Sequence, residues 1–502
     1  MHGLKKVESV EASNHCKLLP RGLLSHGGTD QLCPRETINN LPDEVLLEIF
    51  GLYMAYRLPP SSYEEDAWHT LVHVCRRWRY VVFGSPRRLN LRLLCMNGRL
   101  AKTLLVDVWP ELPIVIHVDD KKSGQLPSVS TVISVLKQHD RVCKFFIDDV
   151  PDSLLKEIAT AIGPFPALTE LELVSFDEDA PILPDSFLGG SVPSLRRLNL
   201  WGIPFPGIGK LLLSTRDLVT LLLYSIPPSG FISPKSMVSI LSGLTRLKSL
   251  HLNFETPEFW TQEASRHPFA LTRVVLPALT NFDFFGDREY LEDIVSQFDA
   301  PLDCISVTFP GKLRVSDIPL LRDFIGRTKI FDAPYRAEVA FSNFDARMSL
   351  FQRKGDVDFK VLNLKIPCSI YAEESQLSSL AQACSFLPPL PSLEQLGIYK
   401  YKSDPWPSRW QNEAENTHWM GLLRPCITVK DLVLNEPVVL YVASALQDLV
   451  GERVREDLPA LQNIFLEGFR SSGPVPEGIV KFIAARELSS RPVIVNYRKT
   501  KQ

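Results

Sequence analysis

Beyond about residue 110, one spelling keeps returning along this chain: an apolar residue, two others, an apolar residue, one other, an apolar residue. It reads Leu168-x-x-Leu171-x-Leu173, Leu195-x-x-Leu198-x-Leu200, Leu218-x-x-Leu221-x-Leu223 and Leu247-x-x-Leu250-x-Leu252. Looser copies start at Val142, Leu279, Leu302, Phe359, Leu393, Val429 and Leu461, and a degenerate one fits around Ala337–Phe341. Starts fall from about 23 residues apart (Leu195 to Leu218) to about 36 (Leu393 to Val429), with one interval near 57 (Leu302 to Phe359). Self-similarity at this period marks a stack of small supersecondary units.

Elementary geometry explains the spelling. In a short strand, alternate residues point to opposite faces, so the leucines go inward and the residue between them faces out. One such strand buries nothing by itself. Strands stacked in parallel, with a helix or loop returning between them, build one continuous core. The return segments fit: Asp152–Ile162 and Pro234–Leu241 are helix-patterned, and Pro193-Ser194-Leu195 and Pro391-Ser392-Leu393 set extended approaches to the next strand. About a dozen strands are expected.

The same phase fixes the outward residues. It exposes Glu170 and Glu172, Arg197 and Asn199, Ser249 and His251, and the aromatic set Trp201, Tyr224, Phe285, Tyr399 and Phe465. Aromatic rings among polar neighbours are the composition of binding surfaces, so these five are the candidate substrate-binding residues. The alternative is that loops fold over the rings as a local cap.

The spelling resembles leucine-rich repeats. It departs from the regular family pattern after the last apolar position, where Phe176, Ile203, Ile226 and Phe469 stand in place of Asn or Cys. The resemblance implies an α/β solenoid, an irregular horseshoe in which apolar packing replaces the asparagine ladder. An ordinary doubly wound α/β domain is the alternative.

A second constraint lies in residues 38–83. Leu41-Pro42-x-Glu44-Val45-Leu46-x-x-Ile49-Phe50 begins a helix: Asn40 or Asp43 can cap it and Pro42 suits its first position. Val45, Leu46, Ile49 and Phe50 form its apolar face. Trp68–Phe83 reads as a second apolar helix, closing with Val74-Cys75-Arg76-Arg77-Trp78-Arg79-x-Val81. Two helices this small leave surplus apolar surface and need a partner. The two halves together resemble the F-box, and Ser85–Leu94 is similar to the exit segment of F-box proteins from mushroom-forming fungi. The Trp that many relatives place after the proline is missing, and Gly51–Asp66 is longer than a minimal F-box needs.

Composition narrows the class. A formal net charge of −3 gives no field to draw nucleic acid or an anionic membrane, and no apolar stretch is long enough to span a bilayer. The nine cysteines are scattered without a Cys-x-x-Cys pair, as free thiols in a reducing compartment would be. Met1–Lys6 leads into polar residues rather than an apolar signal segment, so a cytoplasmic or nuclear location is expected. Catalytic patterns are poor. His69 and His73 have zinc-pair spacing, but Thr70 stands where a metalloprotease has Glu. In Gly202–Lys210 the lysine is misplaced for a phosphate loop, and Asp119-Asp120 and Asp148-Asp149 suit solvated turns.

The two resemblances imply an organisation: a tail over 1–36, an F-box over 37–94 and an irregular leucine-rich-repeat solenoid over 95–502. They imply a substrate receptor of an SCF-type cullin-RING ubiquitin ligase. Its F-box, through Leu41, Pro42, Val45, Leu46, Ile49, Phe50, Trp78 and Val81, would dock a Skp-type adaptor and its cullin complex, and its repeats would hold a protein substrate of unknown identity. No cofactor, metal, nucleic acid or membrane enters this reading, and no catalysis occurs on the chain. A scaffold outside any ligase, and an enzyme on a parallel β-solenoid, are the alternatives.

Overall fold

The computed structural model describes residues 38–498 except 58–66, 97–110, 120–128, 151, 161–162, 178, 255–272, 310–317, 329–332, 343–344, 368–373, 388–389, 402–412, 450–455 and 470–473. The expected tail over 1–36 and Asp120 lie outside the described residues. Described residues up to Leu89 form one compact unit, and those from Asn90 onward form another. Asn90 itself takes a left-handed backbone, φ 50°, which asparagine tolerates better than most residues.

The first unit is three helices: α1 (Asp43–Arg57), α2 (Ala67–Val72) and α3 (Arg76–Gly84). The Pro42 carbonyl accepts the N–H groups of Val45 and Leu46, both at 3.1 Å, and Asp43 and Glu44 complement the positive end of α1. The single helix expected over Trp68–Phe83 is two. Cys75 is extended, and its sulfur accepts the Trp78 N–H at 3.4 Å, which ends one helix and caps the next. The Phe50 and Trp78 rings meet at 4.7 Å in the centre, and Trp68 packs edge-on to Phe83 at 5.8 Å.

The second unit is built on strands β1 (Leu93–Met96), β2 (Ile114–Asp119), β3 (Val142–Asp148), β4 (Glu170–Val174), β5 (Arg197–Trp201), β6 (Thr220–Ile226) and β7 (Ser249–Phe254). They are followed by β8 (Val274–Val275), β9 (Asn281–Phe285), β10 (Phe298–Asp299), β11 (Cys304–Thr308), β12 (Arg336–Phe341), β13 (Asp345–Lys354) and β14 (Val357–Pro367). Then come β15 (Gln395–Lys400), β16 (Asp431–Asn435), β17 (Asn463–Glu467) and β18 (Ile494–Arg498). Among the described residues sixteen of these form one sheet, while β8 and β10 pair apart. The chain folds as a large, mostly parallel sheet with helices.

Register follows the repeated spelling. Leu171, Leu198, Leu221, Leu250, Phe282, Ile305 and Leu362 are paired in one row across the sheet, and all are buried. A second stretch pairs Ala337, Leu396, Leu432 and Ile464 in the same way. Further elements pack on this leucine face: Phe282 meets Phe298 of β10 at 5.8 Å, which in turn meets Phe324 of the helix Pro319–Arg327 at 5.1 Å, and Phe341 meets Trp419 of the helix Glu413–Leu423 at 5.7 Å.

Two expectations need correction. First, the sheet is longer than a dozen strands: sixteen are paired in one linear order. Second, consecutive copies are not always neighbours. The spatial order β11-β14-β13-β12-β15 inserts a meander in reverse, with β13 antiparallel to both of its partners. Two tight turns make it: one after β12, closed by the Ser342 N–H donating to the Asp345 carbonyl at 2.8 Å, and the two-residue turn Gly355-Asp356, in which Gly355 supplies φ 62°. The apolar ladder expected after the strands is also only partial: Ile203 and Ile226 are buried, whereas Phe176 is exposed and Phe469 half-buried.

Candidate functional site

Two surfaces stand out, one on each unit. On α1 the apolar residues split between two stripes. Leu46, Leu47 and Phe50 turn inward, while Val45, Ile49 and Leu52, spaced i, i+4, i+7, face outward at 41%, 38% and 71% exposure. Leu46, Phe50 and Val81, read from the sequence as adaptor-binding, are therefore core residues. A helix cannot turn four apolar positions outward and still seal a unit of three helices. Leu41 and Trp78 are half-buried and Pro42 is exposed. Leu52 was missing from the expected set, though its i+7 spacing from Val45 is visible in the sequence.

The outward stripe is braced from behind. The Arg77 guanidinium on α3 holds the Asp43 carboxylate at 2.6 Å and also donates to the Leu41 carbonyl. Arg88 reaches Glu48 on α1 at 2.6 Å. Both pairs are exposed enough that they act mainly as geometric ties. Their effect is to hold the Leu41-Pro42 turn and the start of α1 against the closing helix.

On the sheet, the face opposite the leucines carries a ladder of rings. Phe176, Trp201, Tyr224 and His251 follow one another at 6.4, 5.1 and 5.9 Å between centroids. Trp201 is exposed, while Tyr224 and Phe285 are half-buried. The Tyr224 hydroxyl and an Asp283 carboxylate oxygen each lie 3.2 Å from His251 Nδ1. Burial, and then the Asp283 charge, raise the Tyr224 hydroxyl above its ordinary value. Both partners meet the same ring nitrogen, so the histidine orients the pair and does not relay protons through its two nitrogens.

Tyr399 and Phe465 are less available. The Tyr399 ring lies down over Gly397, where a Cβ would approach it to 2.5 Å, and burial pushes its hydroxyl up to about 12. The Arg498 guanidinium covers the Phe465 ring at 3.5 Å. Phe465 is thus covered by a strand neighbour and not by a loop, while Tyr399 is half-buried, as Tyr224 and Phe285 are.

A cavity of about 440 Å³ opens beside the ladder, where β9 and β11 meet the meander. Tyr224, His251, Asp283, Phe285, Arg347 and Lys365 are among its lining residues. Arg347 and Lys365 stand opposite each other on β13 and β14, and both pair with Asp345, at 3.1 and 3.0 Å. These residues were not singled out from sequence. The signal that could have found them is Gly355-Asp356, a hairpin turn between alternating segments.

The remaining motifs stay bland. His73 is exposed, and the His69 side chain lies outside the described residues. Lys210 pairs with Asp185, and Asp149 occupies a left-handed turn position, φ 60°, after β3. The described residues hold no group of three or more His, Cys, Asp or Glu arranged to bind a metal, and no helix among them is long and apolar enough to cross a membrane.

Comparison with curated proteins finds no match to the chain. A family model described as F-box-like matches residues 38–89, which span the three helices and the Arg77 brace. Residues 38–89 are an F-box-like domain, and a large, mostly parallel sheet with helices follows it.

Proposed function

We propose that this chain is a substrate receptor of an SCF-type cullin-RING ubiquitin ligase. The F-box-like domain docks a Skp-type adaptor, and the sheet presents a protein substrate. The observation that carries the reading is the outward stripe Val45, Ile49 and Leu52 on an F-box-like domain that its own core leaves uncovered. The repeat unit is read as an irregular leucine-rich repeat, supported by one strand per copy of the spelling and by the leucine rows paired in register. The ring ladder on the opposite face supplies the substrate surface. No reaction occurs on this chain in such a role. Its contribution is to raise the local concentration of substrate lysines near a charged carrier enzyme.

Co-elution of the full chain with a purified Skp-type adaptor and cullin on size exclusion tests membership. The reading expects a ternary complex, lost in the double variant Leu41→Ala, Pro42→Ala. A complex that forms equally well with that variant rejects it.

A further inference from the structure

The cavity beside the ring ladder is a product of the reversed meander. Because β14 and not β12 pairs with β11, Lys365 is brought in register with Thr308, 57 residues earlier in the chain (365 − 308). Arg347 stands opposite Lys365 on β13. Like charges facing across two strands repel, and one carboxylate answers both. Lys365 Nζ lies 3.0 Å from Asp345 Oδ2, and Arg347 Nη2 lies 3.1 and 3.3 Å from its two oxygens. Burial raises the Asp345 carboxyl, but the two cations outweigh it and hold the group below the ordinary carboxylate range. Two cations on one carboxylate leave a net positive charge. The Arg347 Nε–H, moreover, is buried without an acceptor. The Arg347 side chain as a whole is 33% exposed and lines the cavity, so it can still meet an anion there.

The other wall is different. Asp283 on β9 is two strand steps away, in register with Asn363 and two residues short of Lys365, about 12 Å at the usual strand spacings. Its charge is directed toward His251, and at that distance it opposes an anion near Lys365 only weakly. Between the walls lie neutral donors, with the Asn363 amide 3.2 Å from the Ser306 hydroxyl. The cavity is therefore asymmetric: a cationic end on the meander, an amide and hydroxyl floor, and an acidic end under the ring ladder.

We propose that this cavity binds an anionic side chain, a carboxylate or a phosphoryl group, of the protein segment that lies across the sheet, with Arg347 and Lys365 as its donors. The proposal rests on the reading of the sheet as the substrate surface. Planar guanidinium groups match either anion in a bidentate geometry, and a lysine adds a point charge. Trp201 on β5 lies five strand steps from Lys365, about 24 Å, which an extended segment of roughly seven residues spans. Such a segment would carry an apolar residue at one end and the anion at the other.

The test is calorimetric titration of the full chain with acetylated, amidated tetrapeptides that differ in one side chain: glutamate, phosphoserine or glutamine. At least one anionic peptide should bind saturably, and the glutamine peptide should bind at least tenfold more weakly. Binding of the glutamate peptide makes a carboxylate sufficient; binding of phosphoserine alone assigns the phosphoryl source. Lys365→Gln should weaken the anionic peptide about tenfold, and Asp283→Asn should tighten it two- to fivefold, with melting temperatures recorded for both. A merely structural role would not move the two variants in opposite directions. Equal binding of the glutamine peptide, inorganic phosphate binding as tightly as phosphoserine peptide, or loss of binding in both variants would overturn the proposal. If peptide binding persists while Trp201→Ala leaves substrate capture intact, the cavity stands and the sheet reading fails.

Discussion

The rings of Trp201 and Tyr224, paired residues on β5 and β6, stand 5.1 Å apart between centroids at a tilt of 35°. Phe176 extends the stack on one side, and His251 on the other. The tryptophan remains 37% exposed, so the stack is supported from its neighbours and open above. Trp201→Ala should weaken capture of a substrate found by proximity labelling by about fivefold or more, the loss of a hot-spot aromatic, about 1 kcal/mol. Adaptor binding should be unchanged. Stability should fall by no more than about 0.5–1.5 kcal/mol, the value of a ring pair. Unaltered capture would remove the ladder from the recognition surface.

Leu200 lies in the inner row, buried and paired with Leu173 and Leu223. Leu200→Ala should lower unfolding stability by roughly 2–5 kcal/mol, read from urea denaturation, because the tightly packed row cannot close the void. A loss below about 0.5 kcal/mol would show that the rows do not form the core.

Glu292 is a carboxylate inside the fold. Its oxygens accept the N–H groups of Leu320 and Leu321 at 2.7 and 2.6 Å, holding the start of the helix Pro319–Arg327. Burial pushes its carboxyl up to about 7, more than those hydrogen bonds pull it down. The folded chain therefore binds this proton more tightly than the unfolded chain does. The stability it contributes is full below the unfolded value near 4.5 and is lost as pH rises through about 7. Glu292→Gln should flatten that descent across the window. Denaturation midpoints of both proteins from pH 5 to pH 8 measure it. A difference that does not vary with pH would refute the assignment.

Much of this fold was legible because the repeat has one dominant physical demand. Every Leu-x-Leu core must bury alternate residues, so the strands around Leu171, Leu198, Leu221, Leu250, Leu396, Leu432 and Ile464 could be read directly from spacing. β13 could not be read in that way, since Met348 and Leu350 alternate like any strand and the spelling carries no direction. The Gly355-Asp356 turn held the information that the chain doubles back from β13 to β14. On α1, composition alone could not divide Val45 and Ile49 from Leu46 and Phe50, because the partition depends on where α3 and Trp78 sit. The cavity was illegible for the same reason: Arg347 and Lys365 come to line one cavity with Asp283 only through strand order.

The most direct measurement is the affinity of the full chain for a purified Skp-type adaptor by biolayer interferometry, with Val45→Glu, Ile49→Glu as the comparison. Both residues lie on the outward stripe and make no part of the buried centre, so the double variant should keep its melting temperature. The account predicts saturable binding by the natural chain and a loss of at least about a hundredfold in the variant, as two buried charges at an interface centre impose. No binding by the natural chain, or undiminished binding by a folded double variant, would contradict it.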